Sequence, residues 1–191
     1  MVVELREFEE RSNSYIIYVL RKEYAMSFEL VRVLNDEQLN ILASTANEVW
    51  HEFFPCILSK EQIDYMVDKF QSYEAMKGQM EEGYEYYFIM NDDELCGYMG
   101  IHEEKDDEKM FLSKLYLKKE HRGKGYAGKT LKKLFDMSKE RGLKMVWLTV
   151  NKHNEHTIQV YEHVGFAKAR TQVADIGNGF VMDDYIMEKV L

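Results

Sequence analysis

Proline occurs once in these 191 residues, at Pro55, and cysteine twice, at Cys56 and Cys96. The two cysteines form no CxxC pair and have no histidine at ligand spacing, which excludes a disulfide framework and a zinc module. Both are expected to be buried thiols, and no metal site is expected. Long apolar runs are also missing. The longest near the start, Tyr15 to Leu20, is bounded by Arg21 and Lys22 and falls far short of the ~20 residues of a membrane span. The opening, with Glu4, Glu7, Glu9 and Glu10, has the wrong charge for a secretory or transit peptide, so a cytoplasmic location away from membranes is expected. Positive charge is the scarcer sign. Lys and Arg total 25 against 34 Asp and Glu, a net charge of −9, which leaves no broad basic face for nucleic acid and suits a small cationic substrate better.

What is present is an ordinary globular composition, 46% hydrophobic, which is enough for one packed core at this length. Residues 1–25 are read as an N-terminal extension, and the domain is expected to span 26–191, starting at the strand-like run Phe28 to Leu34. Asn35 or Asp36 can cap a helix whose apolar positions, Leu39, Leu42, Ala46, Val49, Trp50 and Phe53, recur at helical spacing until Pro55. Ser59 and Gln62 form a capping box for one second helix ending before Gly83. Tyr84 to Met90, Leu95 to His102 and Met110 to Lys118 read as an antiparallel meander, with turns at Asn91-Asp92-Asp93 and Lys105-Asp106-Asp107.

A helix follows from about Gly125 to Arg141. Met145 to Val150 then has the texture of a central strand covered on both faces, parallel to its predecessor through the helical crossover. A short helix from Asn154 to Val164, a strand from Phe166 to Ala174, a Gly177-Asn178-Gly179 turn and a strand from Phe180 complete the chain. The order is β-α-α-β-β-β-α-β-α-β-β, a mixed α/β domain.

The informative segment is Arg122-Gly123-Lys124-Gly125-Tyr126-Ala127-Gly128, between a strand and a helix. A helix N-terminus leaves N–H groups unpaired and carries partial positive charge, so glycines there let an anionic phosphate reach the amides. Arg122, Lys124 and Lys129 add mobile positive charge. The segment satisfies GxGxxG, but a dinucleotide fold would place that motif in its first strand-to-helix turn, ahead of any meander. A Walker loop is absent because Gly125 stands where Ser or Thr is required.

Arg122-Gly123-Lys124-Gly125-Tyr126-Ala127 resembles the Arg/Gln-x-x-Gly-x-Gly/Ala motif of the GNAT superfamily of N-acetyltransferases. Asn154 to Phe166, with Asn154, Tyr161, Gly165 and Phe166 in place and Thr157 where the family usually has alanine, resembles that family's second pattern. The close match covers about residues 109–166. More loosely, Trp147-Leu148 and Ile186-Met187-Glu188-Lys189 resemble the bacterial polyamine branch.

The resemblance implies an acyl-CoA N-acyltransferase fold, a mixed and partly splayed sheet of about 6–7 strands with about 4 helices. It implies acetyl-CoA as co-substrate and an amine acceptor, a polyamine favoured over an antibiotic amine, an amino acid or a protein N-terminus; a non-catalytic coenzyme-A-binding sensor or interaction module is the alternative, and a homodimer stays open. The amides from Arg122 to Gly128 would hold the pyrophosphate, and the strand Leu115-Tyr116-Leu117 and Asn154 would hold the pantetheine arm. Tyr161 would protonate the departing thiolate; it lies seven residues after Asn154, on nearly the same helical face. Many relatives carry a glutamate base on the strand before the loop, where this chain has Phe111-Leu112-Ser113-Lys114-Leu115. His102, Glu103 and Glu104 are the substitutes suggested by position.

Overall fold

The computed structural model describes residues 28–191; the extension expected over residues 1–25 lies outside them. The chain runs β1 (Phe28–Arg32), α1 (Asp36–Phe53), α2 (Lys60–Gln71), α3 (Tyr73–Glu81), β2 (Tyr84–Asn91), β3 (Glu94–Glu104) and β4 (Lys109–Leu117). It continues through α4 (Tyr126–Glu140), β5 (Met145–Asn151), α5 (Glu155–His163), β6 (Ala167–Gly177) and β7 (Phe180–Val190). The strands form one sheet in the order β1-β2-β3-β4-β5-β7-β6. Neighbours pair antiparallel except β4 and β5, which are parallel as the helical crossover between them requires.

Local chemistry sets the helix starts. The Asn35 side chain accepts from the Gln38 amide at 2.9 Å, and the Gln38 side chain accepts from the Leu34 amide at 2.7 Å, a reciprocal cap. Ser59 caps α2 through the Gln62 amide. The single second helix expected from the apolar stripe is two helices. Ser72 leaves α2 in an extended conformation (ψ 161°), and its oxygen accepts from the Ala75 amide to start α3. A serine hydroxyl competes with the helical bonds of its own backbone, and here the cap wins over the stripe.

Helices cover both faces of the sheet. Leu39, Leu42 and Ala46 of α1 and Met76 of α3 pack on Tyr86, Phe88 and Tyr98. Leu131 and Leu134 of α4 and Ile158 and Tyr161 of α5 pack on Met99, Ile101, Met110, Leu112, Val146 and Leu148 on the opposite face. A third cluster joins Trp50, Phe54, Ile63 and Met66 to Ile176 and Met182 of the β6–β7 hairpin. Tyr65 Oη donates to the Ile176 carbonyl at 2.6 Å, so α2 is also bonded to that hairpin.

Two expectations are corrected. Cys56 is exposed, and only Cys96 is a buried thiol; Cys56 ends the short 3₁₀ turn Phe54–Cys56, which contains Pro55 and follows α1. β5 is not covered on both faces. Val146, Leu148 and Val150 are buried, whereas Met145 and Trp147 are partly open and Thr149 is exposed. The apolar character of that second face has another cause, the cavity described next.

Candidate active site

The parallel pairing of β4 and β5 runs from Lys109–Met145 to Leu112–Leu148 and stops there. On the other edge of β4 the register with β3 jumps from Gly100–Lys114 to Ile101–Leu112, so Ser113 is an extra, bulged residue. A bulge bends its strand and exchanges the faces beyond it. Accordingly Leu115 packs with the α4–α5 side, as Met110 and Leu112 do, and Tyr116 packs with the α1–α2 side. β4 and β5 therefore part at the bulge, and a cavity of about 1000 Å³ opens between them, with Ser113 to Leu117 on one wall and Thr149 to Asn151 on the other.

The glycine loop closes one end of this cleft. Gly123 and Gly125 have φ of +73° and +78°, a left-handed conformation natural to glycine. Gly125 is the N-cap of α4 and offers no side-chain cap. The first internal bond of the helix is from the Lys129 amide to the Gly125 carbonyl at 3.1 Å. Among the described residues, the amides of Gly123, Lys124, Gly125, Tyr126, Ala127 and Gly128 find no internal acceptor. The Arg122 amide differs, since it donates to the Lys119 carbonyl, and so drops out of the expected cradle. Free amides at an uncapped helix start fit a diphosphate.

Side chains around the loop are less mobile than expected. The Arg122 guanidinium donates to the Leu117 carbonyl at 3.0 Å, pairs with Glu52 at 2.5 Å and lies over the Phe53 ring. Lys129 lies over the rings of Phe28 and Tyr126. Tyr126 is buried against Ile89 and Cys96, so only its backbone is available to a ligand. Lys124 is exposed.

Tyr161 and Asn154 both line the cleft. Asn154 caps α5 by accepting from the Thr157 amide at 3.4 Å. Tyr161 packs edge-on against Phe166, and its hydroxyl has no hydrogen-bond partner among the described residues. Burial raises its pKa well above the usual phenol range, so it carries its proton at neutral pH. His102, Glu103 and Glu104 do not line the cavity. Glu103 pairs with Arg141, Glu104 accepts from the Trp147 indole, and His102 lies against Tyr84.

Two lining residues escaped the sequence reading. Lys114 is 5% exposed, donates to Gln79 Oε1 at 2.8 Å and to Ser113 Oγ at 3.4 Å, and has no carboxylate partner among the described residues. Burial lowers its pKa to about 7. Asp184 of β7 has its Oδ1 closed off from solvent without a hydrogen bond, and burial together with the neighbouring Asp183 raises its pKa to about 6. A signal existed in the sequence: Asp184 sits between Met182 and Ile186 in the inward register of a strand, an unusual place for a charge.

The model of the Acetyltransferase (GNAT) family matches residues 43–166. The chain belongs to this family. It is 25% identical to an uncharacterized N-acetyltransferase of Lactobacillus delbrueckii subsp. lactis, covering 83% of this chain and 95% of that protein. Among solved structures it is similar to the PaiA N-acetyltransferase of Thermoplasma acidophilum in complex with coenzyme A. The identity is 26% and the TM-score 0.68, over 87% of this chain and 100% of that one. A variant of the spermidine N-acetyltransferase SpeG from Vibrio cholerae shares the fold, at 18% identity and TM-score 0.62 over 85% of this chain and 93% of that one.

This GNAT protein is an N-acetyltransferase that uses acetyl-CoA. Its sheet of seven strands is the expected mixed α/β acyltransferase fold, with five helices among the described residues where about four were expected, because Ser72 divides one.

Proposed function

We propose that the acetyl group passes to a primary amine by direct attack, without a covalent acyl-enzyme. The observation carrying this reading is the cleft that crosses the sheet. Tyr161 enters from the α5 side, while the α1–α2 side presents Tyr116, Lys114 and Asp184. In this reading the amides of Gly123, Lys124, Gly125, Tyr126, Ala127 and Gly128 hold the pyrophosphate, and Arg122 positions the loop. The free edge of Leu115, Tyr116 and Leu117, together with Asn154, holds the pantetheine. Bound acetyl-CoA supplies the thioester carbonyl. Tyr161, which burial keeps protonated, gives its proton to the sulfur.

A polyamine is the favoured acceptor. Trp50, Phe54 and Tyr116 offer faces for methylene segments, and Asp184 and Glu82 offer carboxylates for ammonium groups. Lys114 favours a second reading, an amine that also bears an acidic group, because a buried ammonium without a carboxylate gains most from an anionic partner. The test is thiol release from acetyl-CoA with a panel of polyamines, monoamines and amino acids. Turnover greatest with a polyamine supports the first reading, greatest with an amino acid the second, and none with any amine contradicts both.

A further inference from the structure

An acceptor amine with a pKa near ~10 is about one part in ~10³ neutral at pH 7, so its attack depends on a group that removes a proton. Among the described residues, Glu82 and Asp184 are the carboxylates lining the cavity. Glu82 is exposed and solvated, whereas Asp184 is half-buried with its Oδ1 closed off from solvent. The two-residue period of β7 puts Asp184 on the same face as Met182, which packs with the α1–α2 cluster. Asp184 pairs with Asn151, the last residue of β5, and so stands on the wall facing the free edge of β4. Tyr116, on that opposite wall, and Tyr161, from the α5 side, line the same cleft as Asp184.

The carboxylate also lacks a partner of its own. The Lys152 ammonium nearest to it is bonded to Asp183 instead, and Asp184 Oδ1 is buried with no donor. An enclosed, unsatisfied carboxylate oxygen carries a desolvation cost that an incoming ammonium would relieve.

Resting on the amine-transfer reading above, we infer that Asp184 is the catalytic base, its carboxylate receiving one proton from the ammonium group of the acceptor. The neutral nitrogen then forms the C–N bond to the acetyl carbon as the C–S bond breaks. Tyr161 protonates the sulfur, the second proton leaving the nitrogen restores the phenol, and Asp184 returns the first proton to solvent. The sum is ammonium plus thioester giving amide, thiol and one proton.

The charged and titratable groups around Asp184 are Asp183 beside it, Lys152 in the turn after β5, and Tyr116 and Lys114 of β4. Tyr161, His156 and His163 of α5 line the same cavity. Its partner on β6 is the uncharged Gln172. With its pKa raised to about 6, Asp184 is a carboxylate above that pH, so the rate should climb through about pH 6 and stay level up to the pKa of the amine near ~10.

The test measures kcat and KM across this range for the wild-type enzyme and for Asp184→Asn, Asp184→Glu and Lys114→Gln, with melting temperature and coenzyme A affinity measured alongside. Asp184→Asn is expected to bind coenzyme A as the wild type does and to lose about 10²-fold or more in kcat at pH 7. Its rate should rise about tenfold per pH unit toward ~10, following the free amine. Asp184→Glu, which keeps the carboxylate, is expected to lose less and to retain the lower inflection. Loss of that inflection in Lys114→Gln with its persistence in Asp184→Asn would overturn the assignment, as would its loss in a folded Asp184→Glu. A wild-type protein that binds coenzyme A but turns over no amine would overturn the amine-transfer reading and this assignment together.

Discussion

Arg122 and Glu52 form an ion pair at 2.5 Å that ties the glycine loop to the last turns of α1, while the Arg122 Nε–H holds the Leu117 carbonyl at 3.0 Å. The arginine thereby braces the ligand loop against both the strand edge and the helix beside it. Arg122→Ala removes a partly exposed ion pair, contributing ~0.2–1 kcal/mol, and one charge-assisted hydrogen bond. Coenzyme A affinity is expected to fall about tenfold, which corresponds to ~1.4 kcal/mol, with a modest drop in melting temperature. Calorimetry showing unchanged affinity would mean that the loop holds its shape unaided.

Gly125 tests the loop from the backbone. A Cβ there would meet nothing within 4 Å, yet φ is +78°, so the cost of Gly125→Ala is conformational, about 1–2 kcal/mol. Thermal unfolding should register that loss, and coenzyme A binding should weaken as the amides turn. Gly125→Asn should be milder, because asparagine enters this region more readily. Equal effects of the two substitutions would contradict the backbone explanation.

Lys114 makes stability depend on pH. Its folded pKa is lowered to about 7 by burial, against an ordinary value of 10.5. Between these values the unfolded chain binds more protons than the folded one, so stability rises as pH increases from about 7 toward ~10, and below about 7 the full penalty of burying the charge applies. Lys114→Met is expected to flatten this slope and to raise the melting temperature at pH 7. Denaturant titrations at neutral and alkaline pH check both, and an unchanged slope would assign it to other groups.

Tyr161→Phe keeps the ring packed on Phe166 and removes only the hydroxyl. If the phenol protonates the sulfur, kcat should fall about 10²-fold or more while acetyl-CoA affinity changes little. Unchanged turnover would leave the ring a packing role only.

The element order was readable because each signal was local: the Asn35 and Ser59 caps, the Asn91 and Lys105 turns, and the glycine loop before an amphipathic helix. Ser72 was missed because its apolar neighbours continue at helical spacing across the break, and the cap outweighs that stripe only locally. The open face of β5 looked buried because the residues facing a cleft for an organic ligand are themselves largely apolar. Asp184 and Lys114 depend on long-range placement. Whether a charge in a strand is solvated or enclosed is settled by which helix packs over it, here α2 and α3 and the β6–β7 hairpin, and the Ser113 bulge turns Lys114 from the α4–α5 face to the α3 face. The candidate base at His102 to Glu104 was inferred from chain position, but those residues do not line the cleft: Glu103 pairs with Arg141, Glu104 accepts from Trp147, and His102 bonds to the Glu82 carbonyl.

The central claim is that unpaired amides at the start of α4 receive the diphosphate of coenzyme A. Calorimetric titration of the protein with coenzyme A and, separately, with NAD tests it most directly. Saturable one-site binding of coenzyme A, weakened in Gly125→Ala and absent for NAD, is the predicted result; no heat with coenzyme A, or equal binding of NAD, would contradict it.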